Sequence, residues 1–162
     1  MALSALLDDS VDMHSLLDVM AHFSLKTSAR NQLTGRIHSI EPLGLNDSLK
    51  VTLAGRQQIQ ISVTHASFER LQLALDQSIL LLFKAPAVTA SRNACQSTGQ
   101  NCVSGHLLSV TELADKAELA IEIGGKEIIY SVMPLADIQT LKVGEPCFAC
   151  FDATQVIVAS MN

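Results

Sequence analysis

The chain repeats its own pattern after about 70 residues. Residues 34–40 (TGRIHSI) correspond to residues 104–110 (SGHLLSV), and residues 49–55 (LKVTLAG) correspond to residues 119–125 (LAIEIGG). Further along, the shift falls to 69 and then to 68, as two small deletions in turns would produce. Self-similarity at a fixed spacing indicates tandem copies of one structural unit. The sequence therefore has to form two related units that share a fold.

The pattern inside each unit is that of β-structure. Five stretches of the first unit have the alternating or continuous apolar character of strands. They are residues 33–40, 49–53, 59–63, 78–83 and, as a short fifth strand, 88–91. One short helix is expected at residues 64–71, with Thr64 as its N-cap. We therefore predict an all-β chain of two tandem, five-stranded, OB-like barrels, each with one short helix.

The segment before the first repeat differs from the rest. Met13, Leu16, Leu17 and Met20 have the spacing of one helix face, which predicts an amphipathic helix at residues 12–22. The expected organisation is an N-terminal helix and linker (1–27), a first Mop/TOBE-like repeat (28–92), a polar linker (93–101) and a second repeat (102–160). A unit of about 60 residues is marginal alone, so we expect the two copies to pack together and the chain to dimerise.

Composition and charge exclude several functions. Hydrophobic residues make up 48% of the chain, yet no apolar run reaches the length of about 18 residues that a membrane span needs. The first residues lack the basic region of a secretory signal, so we predict a cytoplasmic protein. The net charge is −5 and no basic stripe is present, which argues against a nucleic-acid surface. The five histidines are scattered without a catalytic spacing, so we do not expect an enzyme.

The chain has four cysteines. Cys147 and Cys150 have a C-x-x-C spacing that could suggest zinc or redox chemistry. They fall, however, in a stretch with the character of a buried strand, which would place them on opposite faces. Cys95 and Cys102 do not have the spacing of a common zinc knuckle. We interpret Cys147 and Cys150 as structural thiols and predict neither a cation site nor an organic cofactor.

Three cations distinguish the first repeat from the second. Arg30 aligns with Gln100, Arg70 with Ile138 and Lys84 with Asp152. Solvated surface cations can drift in this way. The loss of all three at equivalent points of a shared scaffold instead favours one anion site that the second repeat lacks.

Hydroxyl groups accompany these cations. If residues 26–32 are extended, Ser28 and Arg30 point to the same face. Lys84 ends an apolar strand, where an ammonium group would be costly unless it met an anion or a carboxylate. The alternatives are a solvated strand entrance for the first two residues and a solvent-facing side chain for Lys84.

The predicted helix carries a second set of donors. Thr64 is at the cap, and Ser67 and Arg70 follow at intervals of three. A helix N-terminus offers free N–H groups and a partial positive charge to an anion. The alternative is purely structural: Thr64 only caps the helix, and Arg70 pairs with Glu69 or Asp76. Together these hydroxyl, guanidinium and ammonium donors suit a small tetrahedral dianion.

Three segments carry a family resemblance. LKTSARNQ at 25–32, T-x-x-S-x-x-R at 64–70 and LFKAP at 82–86 resemble the first repeat of the di-Mop (tandem TOBE) sensor region of ModE-type molybdate-responsive transcriptional regulators. The SARNQ opening is also similar to that of stand-alone molbindins. The resemblance implies a homodimer that binds molybdate or tungstate at the subunit interface. The implied oxyanion contacts are Ser28, Arg30, Lys84 and Ala85 from one subunit and Thr64, Ser67 and Arg70 from the other.

The chain departs from that family at its N-terminus. The full regulators carry a winged helix-turn-helix domain there, whereas residues 1–27 resemble only the helix that leads into the sensor. The resemblance therefore leaves two expectations. One is a sensor region of a transcriptional regulator, which would contact DNA only through a domain absent from this chain. The other is a molybdate storage or buffering protein of the molbindin type.

Overall fold

The computed structural model describes residues 27–95, 98–138 and 140–160, and the N-terminal helix predicted at 12–22 lies outside these residues. In the first repeat the elements are β1 (Asn31–Pro42), β2 (Asn46–Leu53), β3 (Gln58–Thr64), α1 (His65–Arg70), β4 (Ser78–Phe83) and β5 (Thr89–Ser91). In the second they are β6 (Gln100–Leu113), β7 (Lys116–Gly124), β8 (Glu127–Pro134), β9 (Pro146–Asp152) and β10 (Ile157–Ala159). No helix in the described part of the chain is long and apolar enough to cross a membrane.

The strands form two antiparallel five-stranded sheets that exchange one strand each. The first sheet has the order β10-β4-β1-β2-β3 and the second has the order β5-β9-β6-β7-β8. Thus β5, the last strand of the first repeat, pairs with β9 of the second, and β10 pairs with β4 of the first. The all-β prediction with two OB-like units is confirmed, and the exchange ties the two units together.

Apolar side chains that alternate with polar ones along the strands form one continuous core. Leu33 and Ile37 of β1 are fully buried, and so are their counterparts in β6 of the second repeat, Val103 and Leu107. Phe83 and Phe151 stack with their ring centroids 4.6 Å apart. Since offset aromatic stacking adds to the gain from burial, this pair strengthens the packing at the ends of β4 and β9.

Two equivalent asparagines join the repeats. The Asn31 amide donates to the Tyr130 carbonyl at 2.9 Å and accepts from the Tyr130 N–H at 2.6 Å. The Asn101 amide makes the same two bonds to the Gln60 backbone, at 2.8 and 2.7 Å. Each contact maps onto the other by a shift of 70 residues, so an approximate two-fold axis relates the repeats. We call the Asn31–Tyr130 contact and its surroundings junction one, and the Asn101–Gln60 contact and its surroundings junction two.

The helices of the two repeats differ. Thr64 caps α1 as predicted, because its Oγ1 accepts the Ser67 N–H at 3.1 Å. At the equivalent place the second repeat has a single 3-10 turn, Leu135–Asp137. The polar linker expected at 93–101 is shorter than predicted, because β6 already begins at Gln100.

One cysteine prediction is wrong. Cys150 was interpreted as a structural thiol, but its sulfur forms a disulfide with Cys95, 55 residues earlier in the chain. Cys147 is a free, buried thiol, and burial raises its pKa. Cys102 is free and exposed. The segment after β5 lies beside β9, which is how residues far apart in sequence come to be bonded.

Candidate functional site

Four of the predicted oxyanion ligands gather at the start of β1 and the end of β4. We call Ser28, Arg30, Lys84 and Ala85 the Arg30 group. The β1–β4 ladder pairs Asn31 with Phe83, so Arg30 and Lys84 occupy the next position on the two strands. The structure therefore brings two cations to the same end of the first sheet.

The other two members lie beside them. Residues 27–30 form bends rather than a strand, but the predicted alternation holds, since Ser28 and Arg30 are exposed and Ala29 is buried. Ala85 is buried and opens the 3-10 turn Ala85–Ala87, which directly follows Lys84. Burial of the two alanines fixes the backbone from which the polar side chains project.

The Arg30 guanidinium already has partners within the chain. Its Nη2 lies 3.3 Å from Glu118 Oε1, and its Nε lies 3.4 Å from Glu118 Oε2. Its Cζ lies 3.6 Å above the centre of the Tyr130 ring, a cation–π contact. The hydrogen bond to Glu118 is the main cause that raises the pKa of Arg30. Because the Arg30 side chain is 51% exposed, this ion pair contributes at most about 1 kcal/mol.

Lys84 has no such partner. Its side chain is exposed and forms no hydrogen bond or ion pair within the part of the chain that the structure describes. The expectation that its ammonium group carries a burial cost is therefore wrong, because β4 ends at Phe83 and Lys84 already reaches solvent. Among the described residues this ammonium group is thus unpaired and faces solvent, at the strand position opposite Arg30.

The remaining three predicted ligands lie at the N-cap of α1 and within the helix. We call Thr64, Ser67 and Arg70 the Arg70 group. The Thr64 and Ser67 hydroxyl oxygens lie 2.9 Å apart. All three residues line a cleft of about 230 Å³, which residues 156–158 of the second repeat also line. The helix thus presents two hydroxyls and one guanidinium to a common space.

Arg70 does not form the ion pairs of the structural alternative. Within the described residues its guanidinium has no partner, and Asp76 forms no salt bridge. Glu69 instead contacts His65, whose Nε2 lies 2.9 Å from Glu69 Oε1. The charge of Arg70 is therefore not offset by the acids that sequence reasoning proposed.

Sequence reasoning missed a histidine–aspartate contact at the start of α1. His65 Nδ1 lies 2.8 Å from Oδ2 of Asp47, which is buried. The hydrogen bond to Asp47 is the main cause that raises the pKa of His65, and Glu69 adds to it. The i,i+4 spacing of His65 and Glu69 was a readable signal, whereas Asp47 approaches from β2 and had none. This contact holds the first turn of α1 against β2.

The two groups lie at different junctions. The turn Ala85–Ala87 packs against β8, which places the Arg30 group at junction one. The strand β3 packs against the turn Ala153–Gln155, which places the Arg70 group at junction two. One chain therefore assembles each group but does not bring the two groups together.

At each junction, the second repeat contributes neutral or acidic residues. At junction one, Glu118 pairs with Arg30. At junction two, Gln100 stands at the position of Arg30, and the exposed Asp152 precedes the turn that packs against β3. Neither junction alone combines the three cations that distinguish the first repeat from the second.

Comparisons with known proteins agree with the duplication. A model of the TOBE domain matches this chain twice, at residues 27–90 and 97–158. The transcriptional regulator ModE of Yersinia pestis is 30% identical over an alignment 164 residues long, which covers 99% of this chain and 62% of that protein. The DNA-binding transcriptional dual regulator ModE of Escherichia coli K12 is 29% identical over 95% of this chain and 60% of its own length. The chain thus spans about 60% of the length of these relatives.

A solved structure supports the same fold. The crystal structure of the cytoplasmic molybdate-binding protein ModG, with molybdate bound, superposes with a TM-score of 0.79 at 25% sequence identity. The match covers 84% of this chain and 99% of that one. The predicted resemblance to a tandem TOBE region of ModE-type regulators is confirmed. Because the domain matches cover most of both repeats, the chain belongs to the TOBE domain family.

Proposed function

We propose that this chain binds molybdate, or the similar anion tungstate, between two copies of itself. One copy would supply Ser28, Arg30, Lys84 and Ala85, and the other would supply Thr64, Ser67 and Arg70. In this proposal the chain is the sensor region of a molybdate-responsive transcriptional regulator that works in the cytoplasm. Contact with DNA would belong to a part of the regulator outside this chain.

The placement of the two groups carries the proposal. Both groups belong to the first repeat, yet within one chain each faces the second repeat across a separate junction. Only a second copy can set a first-repeat Arg30 group against a first-repeat Arg70 group. Such a pairing joins three cations and three hydroxyls without a carboxylate among the contacting residues. Charge-assisted hydrogen bonds of this kind are among the strongest that a protein offers to an anion.

The donor set also favours particular anions. The seven residues offer cationic donors, and their only side-chain acceptors are the three hydroxyl oxygens, so the O–H of a protonated phosphate would find a weaker partner than a carboxylate gives. Discrimination against the smaller sulfate would follow from the size of the pocket. The expected order of binding is molybdate and tungstate first, with sulfate and phosphate well behind.

Binding at such an interface can serve as a signal. An anion held by two copies stabilises one arrangement of the dimer over others, and a ligand shifts an equilibrium by its difference in affinity for the two states. Ser28 and Arg30 directly follow residues 1–27. A change at the occupied site would therefore reach whatever precedes the first repeat.

Isothermal titration calorimetry with molybdate tests the binding. Lys84→Ala and Arg70→Ala each remove one cation from a different group, and we expect each to weaken binding at least tenfold. Lys142→Ala is the matched control, because Lys142 is an exposed cation of the second repeat. Absence of binding by the parent chain, or parent-like binding by both variants, would overturn the proposal.

A mixed dimer tests the assignment to two subunits. In a dimer of one Lys84→Ala chain and one Arg70→Ala chain, one site carries both defects and the other carries neither. We therefore expect differently tagged, co-purified mixed dimers to regain tight binding at half of the sites. A site formed within one chain would predict no recovery, since every chain would carry a defect.

Storage or buffering of molybdate is the second candidate. The similarity to ModG favours it, because that match spans 99% of a protein described as molybdate-binding. Stoichiometry separates the two functions. A sensor dimer with the site proposed here holds two anions, whereas a storage assembly would hold more, at further classes of site.

A further inference from the structure

Three cysteine sulfurs meet where the chain passes from the first repeat to the second. The Sγ atoms of Cys95, Cys102 and Cys150 all lie within 4.8 Å of one another. Cys102 of β6 and Cys150 of β9 are direct cross-strand partners. Cys95 follows β5, and its backbone N–H donates to Cys102 Sγ at 3.1 Å. The fold, and not the sequence spacing, brings the three residues together.

The oxidation state decides what this cluster can bind. With the Cys95–Cys150 disulfide formed, Cys102 is the one free thiol of the three. A dithiol reductant would give two electrons and two protons to the disulfide, leave two protein thiols and become a disulfide itself. Disulfides of cytosolic proteins are commonly transient or redox-sensing, which agrees with reversible opening of this bond.

We propose that the reduced cluster is a binding site for a thiophilic metal ion, and that Zn²⁺ is the ion it binds in the cell. Thiolates are the ligands that select such ions. A Zn–S bond of about 2.3 Å in tetrahedral geometry separates two sulfurs by about 3.8 Å. All three sulfur–sulfur distances are already within 4.8 Å, so the sulfurs can adopt this separation once the disulfide opens. On binding, the metal displaces the thiol protons to solvent.

The burial of the three cysteines suits reversible loading. Cys150 is buried at 5% exposure and anchors the site, whereas Cys102 is exposed and gives the ion a route in from solvent. Three protein ligands leave a fourth position for water, the arrangement of an exchangeable zinc site. Cys150 is also the cross-strand partner of Thr89 in β5. Metal or disulfide would therefore fasten the segment after β5, one of the two exchanged strands, to the second sheet.

Cadmium is the most direct probe, because its thiolate complexes absorb in the ultraviolet. The full chain is reduced with a phosphine, which takes its oxygen from water and leaves two protein thiols, and the reductant is then removed without air. We expect one Cd²⁺ per reduced chain, displaceable by Zn²⁺, and no binding by the oxidised chain. A reduced parent chain that shows no charge-transfer band would overturn the proposal.

Single-cysteine variants separate this site from general thiol binding. Cys102→Ser keeps the Cys95–Cys150 disulfide, so its oxidised form can be checked for parent-like circular dichroism before reduction. We expect it to lose at least tenfold in affinity for Cd²⁺. Cys147→Ala removes the free thiol outside the cluster and should bind like the parent chain. Undiminished binding by Cys102→Ser would overturn the proposal.

A thiol count tests the redox control. Denatured, unreduced chain should show two reactive thiols, from Cys102 and Cys147, and reduced chain should show four. Four thiols before reduction would overturn the claim that a disulfide closes the site.

Discussion

The two junctions share a scaffold and differ in charge. Each is joined by an asparagine that hydrogen-bonds both backbone groups of a residue in the other repeat. Beside that contact, junction one has the charged pair of Arg30 and Glu118. The equivalent positions at junction two carry the uncharged residues Gln100 and Ser48, and the Ser48 Oγ accepts a neutral hydrogen bond from Gln60 Nε2 at 2.8 Å. Duplication has kept the residues that join the repeats, while the residues available to a ligand have changed.

This difference separates structural from functional residues. A polar residue that is the same in both repeats, such as Asn31 and Asn101, belongs to the shared architecture. A polar residue that changes between repeats, such as Lys84 and Asp152, is free of that architecture and available for binding. Variants of the first kind should affect stability at either junction, and variants of the second kind should affect ligand affinity at one.

The largest effect should come from the shared asparagines. Asn31→Ala would leave both the N–H and the C=O of Tyr130 unpaired in a part-buried position, and each such group costs about 1–3 kcal/mol. We expect the free energy of unfolding to fall by roughly 2–4 kcal/mol, and Asn101→Ala to cost a similar amount. Urea denaturation measures both. Asn93→Ala, at an exposed position, should stay within about 0.5 kcal/mol of the parent chain, and an equally small loss at Asn31 would contradict the role given to it.

An effect of similar size should come from the glycines at which the repeats meet. Gly125 has φ +63°, and a Cβ added there would lie 2.5 Å from the Gly55 nitrogen. Gly125→Ala should therefore combine a backbone strain of about 1 kcal/mol with about 1–3 kcal/mol of overpacking. Gly99 has φ +84° with nothing near its Cβ position, so Gly99→Ala should show the strain alone. Equal losses of unfolding free energy in the two variants would mean that an added Cβ at Gly125 does not clash with the backbone of Gly55.

Much of the fold could be predicted from the sequence because the chain contains two copies of it. Agreement between residues 34–40 and 104–110 identified the strands that carry the core, and Thr64 identified the start of α1. The strand exchange could not be predicted. Strands β5 and β10 have three residues each, too few for a period, and their partners are decided by packing between the repeats.

The candidate site was predictable to a different extent. The cations that differ between repeats could be found by alignment, but their partners could not. Glu118 and Arg30 are 88 residues apart in sequence, and Cys95 and Cys150 are 55 residues apart. No local sequence pattern therefore predicts either contact. The identity of Asn31 and Asn101 at a shift of 70 was a usable signal for the junctions that sequence reasoning overlooked.

Glu118 offers a sharper test of the charge difference at junction one, and this test rests on the proposed function. Its carboxylate competes with an incoming dianion for Arg30, as an exposed ion pair worth at most about 1 kcal/mol. Glu118→Gln should therefore tighten molybdate binding by roughly two- to fivefold in calorimetry. Glu122→Gln removes an exposed carboxylate from the same strand and should leave affinity unchanged. Weaker binding by Glu118→Gln would show that Glu118 positions Arg30 for the ligand and does not compete with it.

The smallest effect should be a pH dependence that arises beside junction two alone. Asp47 and Glu69 raise the pKa of His65, so the folded chain holds a proton that the unfolded chain releases near pH 6.5, at about the ordinary histidine pKa. The stabilisation from this pairing is fully present below that pH and is lost as the pH rises through the raised pKa. We measure the unfolding free energy by urea denaturation as the pH rises through this range. It should fall less for His65→Gln than for the parent chain. His38→Gln, at an exposed position, is the control and should follow the parent chain. Parallel profiles for the parent chain and His65→Gln would mean that the Asp47 contact adds nothing to stability. A difference between the two profiles would show that His65, which directly follows Thr64, titrates and contributes to stability. The pH dependence of unfolding free energy and of oxyanion affinity could then be compared in His65→Gln.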